Sequence, residues 1–308
     1  MSDAAGFSVG PLTAFDGGDG EAIAAAGSHI ATLGAAQATW WVGAIPHTVE
    51  LPNIPVRGAR WSVDGTAILV GTGIIDVAQE SWLPHPAFAS LVRRGPPGEG
   101  SVVIQAASWS ADGRHAAVLL GWSGPRQGGG AVPAAQVVVL NLVGGAALTT
   151  LPADGASGVR IVREWVVIAA PVVRAWTFAG TKVAALPAGR GAPLALSAGD
   201  DGEPMLLVDA DFSIRVVDPT TWTVRATWAG PFLDAVPVPD GLIAVDLEGL
   251  LHAGCLEAGE VREVGTAATG VRGAHLAVTG DGRIVIMGAG AVPVHALPFR
   301  LRCGAIAR

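Results

Sequence analysis

Short apolar runs alternate with short polar turns along the whole chain. Two examples are Met205 to Val208 and Ile284 to Met287, which follow Asp-Gly pairs at 201–202 and 281–282. Apolar runs of this length, bounded by Gly, Asp and Ser, are typical of β-strands joined by hairpin turns. The pattern therefore predicts an all-β chain built from many short strands.

A longer motif occurs twice. The segments 61–65 and 109–113 both read W-S-x-D-G, and an apolar run follows each of them. Asp-Gly favours a tight hairpin turn because both residues tolerate a positive φ. Equivalent turns near residues 28, 65, 113, 164, 202, 241 and 282 recur at roughly the 40 to 45 residues of one propeller blade.

Within these repeats, a second turn follows the first, between an apolar strand and a further strand. The best copy is Ile214 to Trp228, and others are Val137 to Leu151, Ala175 to Leu186 and Leu251 to Val264. Two turns that recur in the same order indicate units of four strands. The sequence therefore predicts a single closed β-propeller domain over residues 1–308, with seven four-stranded blades.

The repeats resemble those of a known family. The two W-S-x-D-G segments resemble the WD-repeat-like propeller repeats of bacteria, and Ile214 to Trp228 resembles the third and fourth strands of a WD-type blade. The chain lacks the Gly-His pair at blade starts and the closing Trp-Asp dipeptide. The resemblance implies the propeller fold for most of the chain.

Closing a propeller requires one blade to combine strands from both ends of the chain, since otherwise a strand edge stays unpaired. We predict that residues 7–15 supply the outer strand of the last blade, whose other strands come from residues 273–298. The alternative is that Phe299 to Ala307 supply it.

Composition and charge indicate a folded chain and exclude one class of partner. Half of the residues are hydrophobic and 15% are charged, which excludes a disordered chain. The net charge is −7, and no cluster of Lys or Arg lies between aromatic residues, so no nucleic-acid partner is predicted. Among the 19 basic residues only Lys182 is a lysine, a bias typical of a GC-rich bacterial genome.

The two cysteines and the N-terminus indicate a compartment. Cys255 and Cys303 are too few for a disulfide framework and lack the paired spacing of a zinc site, so we predict free thiols in a reducing compartment. The N-terminus has no export signal, and apolar runs such as Val166 to Val173 are too short to cross a membrane. These features predict a cytoplasmic protein with no membrane partner.

No catalytic residue and no cofactor are predicted. Residues 6–10 match the G-x-S-x-G motif, but no strand precedes them and no helix follows, so an ordinary strand is predicted. The seven histidines show no short-range spacing typical of metal ligands.

Four carboxylates are candidate cation ligands. They occupy the predicted turns between second and third strands of neighbouring blades, and they are Asp209, Asp211, Asp246 and Glu248. They either form a shared acidic patch that attracts a cation or, as we favour, cap their own turns through backbone hydrogen bonds.

Two insertions are candidate partner-binding loops, because insertions project from a scaffold and Trp and Arg are enriched at interface hot spots. The candidate residues are Trp82, His85, Phe88, Arg93 and Arg94 in blade two, and Trp122 and Arg126 in blade three. The alternative is a loop folded back over its own blade, with Trp82 and Phe88 covering the edge of the core.

Together these features predict a non-enzymatic protein–protein interaction scaffold, or a subunit of a bacterial multiprotein assembly. The alternative is an enzyme or small-ligand-binding propeller with a site at the mouth of the central channel. Residues of such a site would lie about 40 residues apart, one blade from the next, and would leave no local motif.

Overall fold

The structure is a computed structural model. It describes residues 6–15, 21–34, 36–56, 58–91, 100–124, 134–198, 203–239, 241–272, 275–288 and 294–303. Apart from one 3-10 helix at Pro86–Phe88, the regular structure within these residues is entirely β-strand.

The first half of the chain holds the N-terminal strands and three blades. The N-terminal strands are β1 (Gly6–Val9) and β2 (Thr13–Phe15). Blade one consists of β3 (Ala22–Ala26), β4 (His29–Leu33), β5 (Gln37–Val42) and β6 (Ile45–Glu50). Blade two consists of β7 (Arg60–Trp61), β8 (Ala67–Val70), β9 (Gly73–Asp76) and β10 (Ser81–Pro84). Blade three consists of β11 (Ser101–Trp109), β12 (His115–Ser123), β13 (Gln136–Asn141) and β14 (Ala146–Pro152).

The second half holds the other blades. Blade four consists of β15 (Gly158–Val162), β16 (Trp165–Ala169), β17 (Arg174–Thr177) and β18 (Lys182–Ala185). Blade five consists of β19 (Ala195–Ala198), β20 (Met205–Val208), β21 (Ile214–Asp218) and β22 (Thr223–Trp228). Blade six consists of β23 (Phe232–Val238), β24 (Gly241–Asp246), β25 (Leu250–Glu257) and β26 (Glu260–Ala268). Blade seven contains β27 (His275–Val278), β28 (Arg283–Met287) and β29 (Val294–Arg302).

These sheets confirm the predicted fold class, an all-β propeller of seven blades. In blades one to six, four strands that are consecutive in the chain pair in sequence order. Blade seven takes its fourth strand from the N-terminus, where β1 pairs with Phe299–Arg302 and β2 with Val294–Ala296 of the same strand β29.

The chain divides into two compact units. One comprises Met1–Gly34, Ala38–His47 and Gly189–Arg308, and it holds most of blade one together with blades five, six and seven. The other comprises Ala35–Gln37 and Thr48–Ala188, and it holds blades two, three and four. Each unit contains its own apolar clusters between neighbouring blades.

The W-S-x-D-G motif forms the predicted turn but with a different backbone from the one predicted. In the first copy the amide of Gly65 donates to the carbonyl of Ser62, and Gly65 has a φ of +70°. Asp64 is not among the residues with positive φ; its carboxylate instead accepts from the Ser62 hydroxyl and the Thr66 amide. The aspartate therefore holds the turn through its side chain, and only the glycine adopts the left-handed conformation.

The two cysteines correct a sequence prediction. Cys255 of β25 and Cys303, which directly follows β29, form a disulfide with their Cα atoms 5.5 Å apart. The predicted free thiols are therefore wrong, and the cysteines no longer support a reducing compartment. The pairing leaves no local signal because 48 positions separate the two residues and only the packing of blades six and seven brings them together.

Within the described residues, no helix is long enough to cross a membrane. The one helix among them has three residues, far fewer than the roughly 20 that cross a bilayer.

Candidate functional site

The candidate site begins at β10, the outer strand of blade two. Trp82 of β10 pairs with Ile75 of β9, and its half-buried indole covers Gly73 on that strand. A Cβ at Gly73 would lie 2.7 Å from the Cε2 and Cζ2 atoms of Trp82, so only glycine fits beneath the ring. Trp82 therefore packs largely on its own blade.

After β10 the chain folds back and fills the space between blades two and three. His85 caps the 3-10 helix, and its Nδ1 accepts from the Ala87 amide at 3.3 Å. Phe88 is 3% exposed, and its ring centroid lies 5.4 Å from that of Trp109 in blade three. The Phe88 side chain therefore packs in the core between these two blades.

The His85 ring belongs to the same packing. It contacts Phe88 and Trp109 edge to face, with centroids 6.0 Å and 5.9 Å away. Desolvation by burial lowers the pKa of His85 below its ordinary value of 6.5, because water stabilises the imidazolium better than these rings do.

This pKa shift predicts a loss of stability in mild acid. Because the unfolded chain binds the proton more readily than the folded one, the free energy of unfolding should fall as the pH drops through the ordinary histidine range, from about 7.5 to about 5. His85→Asn, which retains a capping acceptor, should flatten this slope, as measured by urea unfolding at several pH values.

The control for this experiment is the native protein, unfolded by urea at the same pH values. Burial also lowers the pKa of His295, so part of the slope should remain in His85→Asn. A slope unchanged by His85→Asn would contradict the prediction.

A groove of about 400 Å³ lies beside this packing. Among the residues that the structure describes, its mostly apolar lining comes from blade two: Thr66, Ala67, Ile74, Asp76, Ala78, Leu83, Pro84, His85 and Pro86. Leu83 lies opposite Ile74 in the pairing of β10 with β9 and is 49% exposed. An apolar side chain this exposed on an outer strand is available to a partner.

The electrostatics of the groove are acidic. Asp76 is the carboxylate in the lining, and its Oδ1 accepts from the Gln79 amide at 2.9 Å. Asp64 lies two residues before Thr66, and hydrogen bonds from Ser62 and Thr66 lower its pKa to about 2. Because Asp76 lies in the lining and the lining residues that the structure describes include no Lys or Arg, the groove favours a ligand with a positive charge.

Trp122 lies near the end of β12, the second strand of blade three. It pairs with Val102, and its indole covers Gly100, where any side chain would collide with the ring. A small cavity of about 70 Å³ lies beside it. Three predicted contact residues, Arg93, Arg94 and Arg126, lie outside the described residues.

The first two candidate metal ligands are engaged within blade five. Asp209 is buried and forms a bidentate ion pair with Arg215, at 2.6 Å from Nε and 2.7 Å from Nη2. Asp211 accepts from the amide and hydroxyl of Ser213 and lies 3.5 Å from Arg190 Nε.

The other two are engaged in blade six. Asp246 accepts from the Glu248 and Leu250 amides and lies 3.1 Å from His252 Nε2. The Glu248 carboxylate lies 3.5 Å from Arg272. In the part of the chain that the structure describes, no three His, Cys, Asp or Glu side chains are grouped as metal ligands.

Sequence reasoning missed the groove and the His252 contacts. The other nitrogen of His252, Nδ1, lies 2.9 Å from the Glu263 carboxylate on β26, so the ring bridges two acids. The G-x-S-x-G segment forms the edge strand β1, with Ser8 exposed. No protein-family model matches this chain, and no curated protein matches it either.

Proposed function

We propose that this protein is a WD-repeat-like, non-enzymatic interaction scaffold of a bacterial cytoplasmic assembly, and that it binds a partner protein through the blade-two groove. The observation that carries the proposal is the exposed apolar lining around Leu83, on an outer strand held rigidly by Trp82 and the His85–Phe88 packing. A rigid surface lowers the entropic cost of binding, because its side chains and backbone lose little conformational freedom when the partner binds.

The chemistry of the groove selects the partner. Leu83, Pro84 and Pro86 offer apolar contacts, whereas Asp76 and Asp64, the latter with its pKa lowered to about 2, supply negative charge nearby. A protein segment with an apolar side chain beside an Arg or Lys satisfies both features. The negative charge of the groove and of the whole chain disfavours nucleic acid and anionic membrane surfaces.

We predict that Leu83→Asp weakens partner binding by about tenfold to a hundredfold, since burying a leucine contributes about 1.5 to 3 kcal/mol. Random peptides displayed on phage are selected on the native protein, and the Kd of each selected peptide is measured by calorimetry. The selected peptides should share an apolar residue next to Arg or Lys.

The Asp76→Asn substitution should also weaken the binding of these peptides and reduce the dependence of their Kd on salt concentration.

The matched control is Leu148→Asp on β14, because Leu148 is 44% exposed on the outer strand of blade three and does not line the groove. Leu148→Asp should leave each Kd unchanged. Equal binding by the native protein and by Leu83→Asp would overturn the proposed site. Fractionation of the source bacterium tests the proposed cytoplasmic location separately.

A further inference from the structure

The disulfide lies where the two ends of the chain meet blade six. Cys255 is 0% exposed in β25, within an apolar cluster that also contains Leu276 and Leu301. Cys303 is half-buried and packs against the same cluster. The bridge therefore joins the end of the blade-seven strand β29 to the interior of blade six.

The part of β29 next to the bridge has a smaller set of strand partners than the rest. Residues 295–298 pair with β28 and residues 294–296 pair with β2, whereas Phe299–Arg302 pair with β1 alone among the described strands. β1 in turn packs on blade six, because Phe7 lies over Gly265 of β26, where a Cβ would be 2.9 Å from the Cβ of Phe7. Strand β1 and residues 299–302 thus form a small two-stranded end piece held by Phe7 and the bridge.

We infer that the Cys255–Cys303 pair is a redox latch on this end piece. With both thiols reduced, β1 and residues 299–302 are held by hydrogen bonds and apolar contacts alone and open locally more often. With the bridge formed, the end piece is joined covalently to blade six. The remainder of blade seven, β27 and β28, keeps its own pairing in both states.

A disulfide oxidant such as oxidised glutathione can form the bridge in two steps. The more accessible Cys303 thiolate attacks the oxidant, expels one glutathione thiolate and remains joined to the other glutathione in a mixed disulfide. The Cys255 sulfur then attacks Cys303 Sγ and expels the second thiolate. The two cysteines are oxidised, the oxidant is reduced to two thiols, and the cysteine protons pass through solvent to the expelled thiolates.

Burial makes this exchange slow but the bridge durable. A reductant can reach only Cys303, and its attack must expel a Cys255 thiolate into an apolar cluster, where a buried charge is costly. The fold holds the two Cα atoms 5.5 Å apart, which gives the sulfurs a high effective concentration and favours the closed bridge.

Hydrogen exchange of the full chain tests the latch. The protein is incubated for a long time with either dithiothreitol or oxidised glutathione, and alkylation verifies the state of the thiols before exchange begins. On reduction, amides of β1 and of residues 299–302 should exchange at least about tenfold faster, because local opening carries a smaller free energy than global unfolding. Amides of β18, the exposed outer strand of blade four, should exchange at the same rate in both states, because they exchange through local opening that does not depend on global stability. Cys303→Ser should behave as the reduced protein in both buffers.

Two results would overturn the inference. If verified reduction leaves the exchange of β1 unchanged, the bridge does not control the end piece. If reduction accelerates β18 as much as β1, the effect of the bridge is not local to the end piece.

Discussion

Removal of the disulfide, in the double variant Cys255→Ala with Cys303→Ser, should lower the free energy of unfolding by about 4 kcal/mol. A cross-link restricts the unfolded chain more when the loop it closes is longer, and the bridged residues are 48 positions apart. Alanine at position 255 avoids placing an unpaired hydroxyl in the apolar cluster. Urea unfolding followed by tryptophan fluorescence measures the change.

The native protein under reducing conditions is the control for that experiment. It should unfold at nearly the urea concentration of the double variant, whereas the oxidised native protein should be markedly more stable. A difference below about 1 kcal/mol between the oxidised native protein and the variant would show that the bridge adds little beyond the packing of blades six and seven.

The second large effect is expected at the buried ion pair of blade five. Arg215→Met should lower the free energy of unfolding by about 3 to 5 kcal/mol, because it leaves the Asp209 carboxylate buried without its cation. Gly189 closes over the pair, since a Cβ there would lie 2.8 Å from Asp209 Oδ1 and 2.9 Å from Arg215 Nη2. Such close packing leaves little room for water to solvate the remaining charge.

A double variant distinguishes the contribution of the ion pair to stability from the cost of leaving one buried charge unpaired. Asp209→Leu combined with Arg215→Met should recover most of the loss, because replacing both charges by apolar side chains removes the desolvation penalty. The exposed pair of Arg272 with Glu248 is the control, and Arg272→Met should change the free energy of unfolding by less than about 1 kcal/mol. Equal losses in Arg215→Met and Arg272→Met would contradict a buried, desolvated pair.

The candidate loops show how far local sequence can locate a binding surface. Trp82 and Phe88 are apolar residues in one insertion, and the sequence alone leaves open whether they face a partner or their own blade. The structure places Phe88 in the core and Trp82 over Gly73, and it exposes Leu83 between them. Strand β10 has apolar residues on both faces, so alternation could not identify the exposed one.

The strands, their grouping in fours and the position of the described repeat turns could all be predicted from the sequence alone. These features depend on contacts within a blade, where apolar runs, glycine at positive φ and turn-capping Asp64 act over a few residues. The propeller follows because such a blade recurs seven times along the chain.

Features that depend on contacts between blades or on the packing of side chains could be identified only in the folded protein. The Cys255–Cys303 bridge, the contact of Phe88 with Trp109 and the exposed face of Leu83 belong to this class. Neighbouring blades are about 40 residues apart in the chain, so their contacts leave no periodic signal in the sequence. They form because the burial of apolar surface between neighbouring blades is favourable at any separation along the sequence.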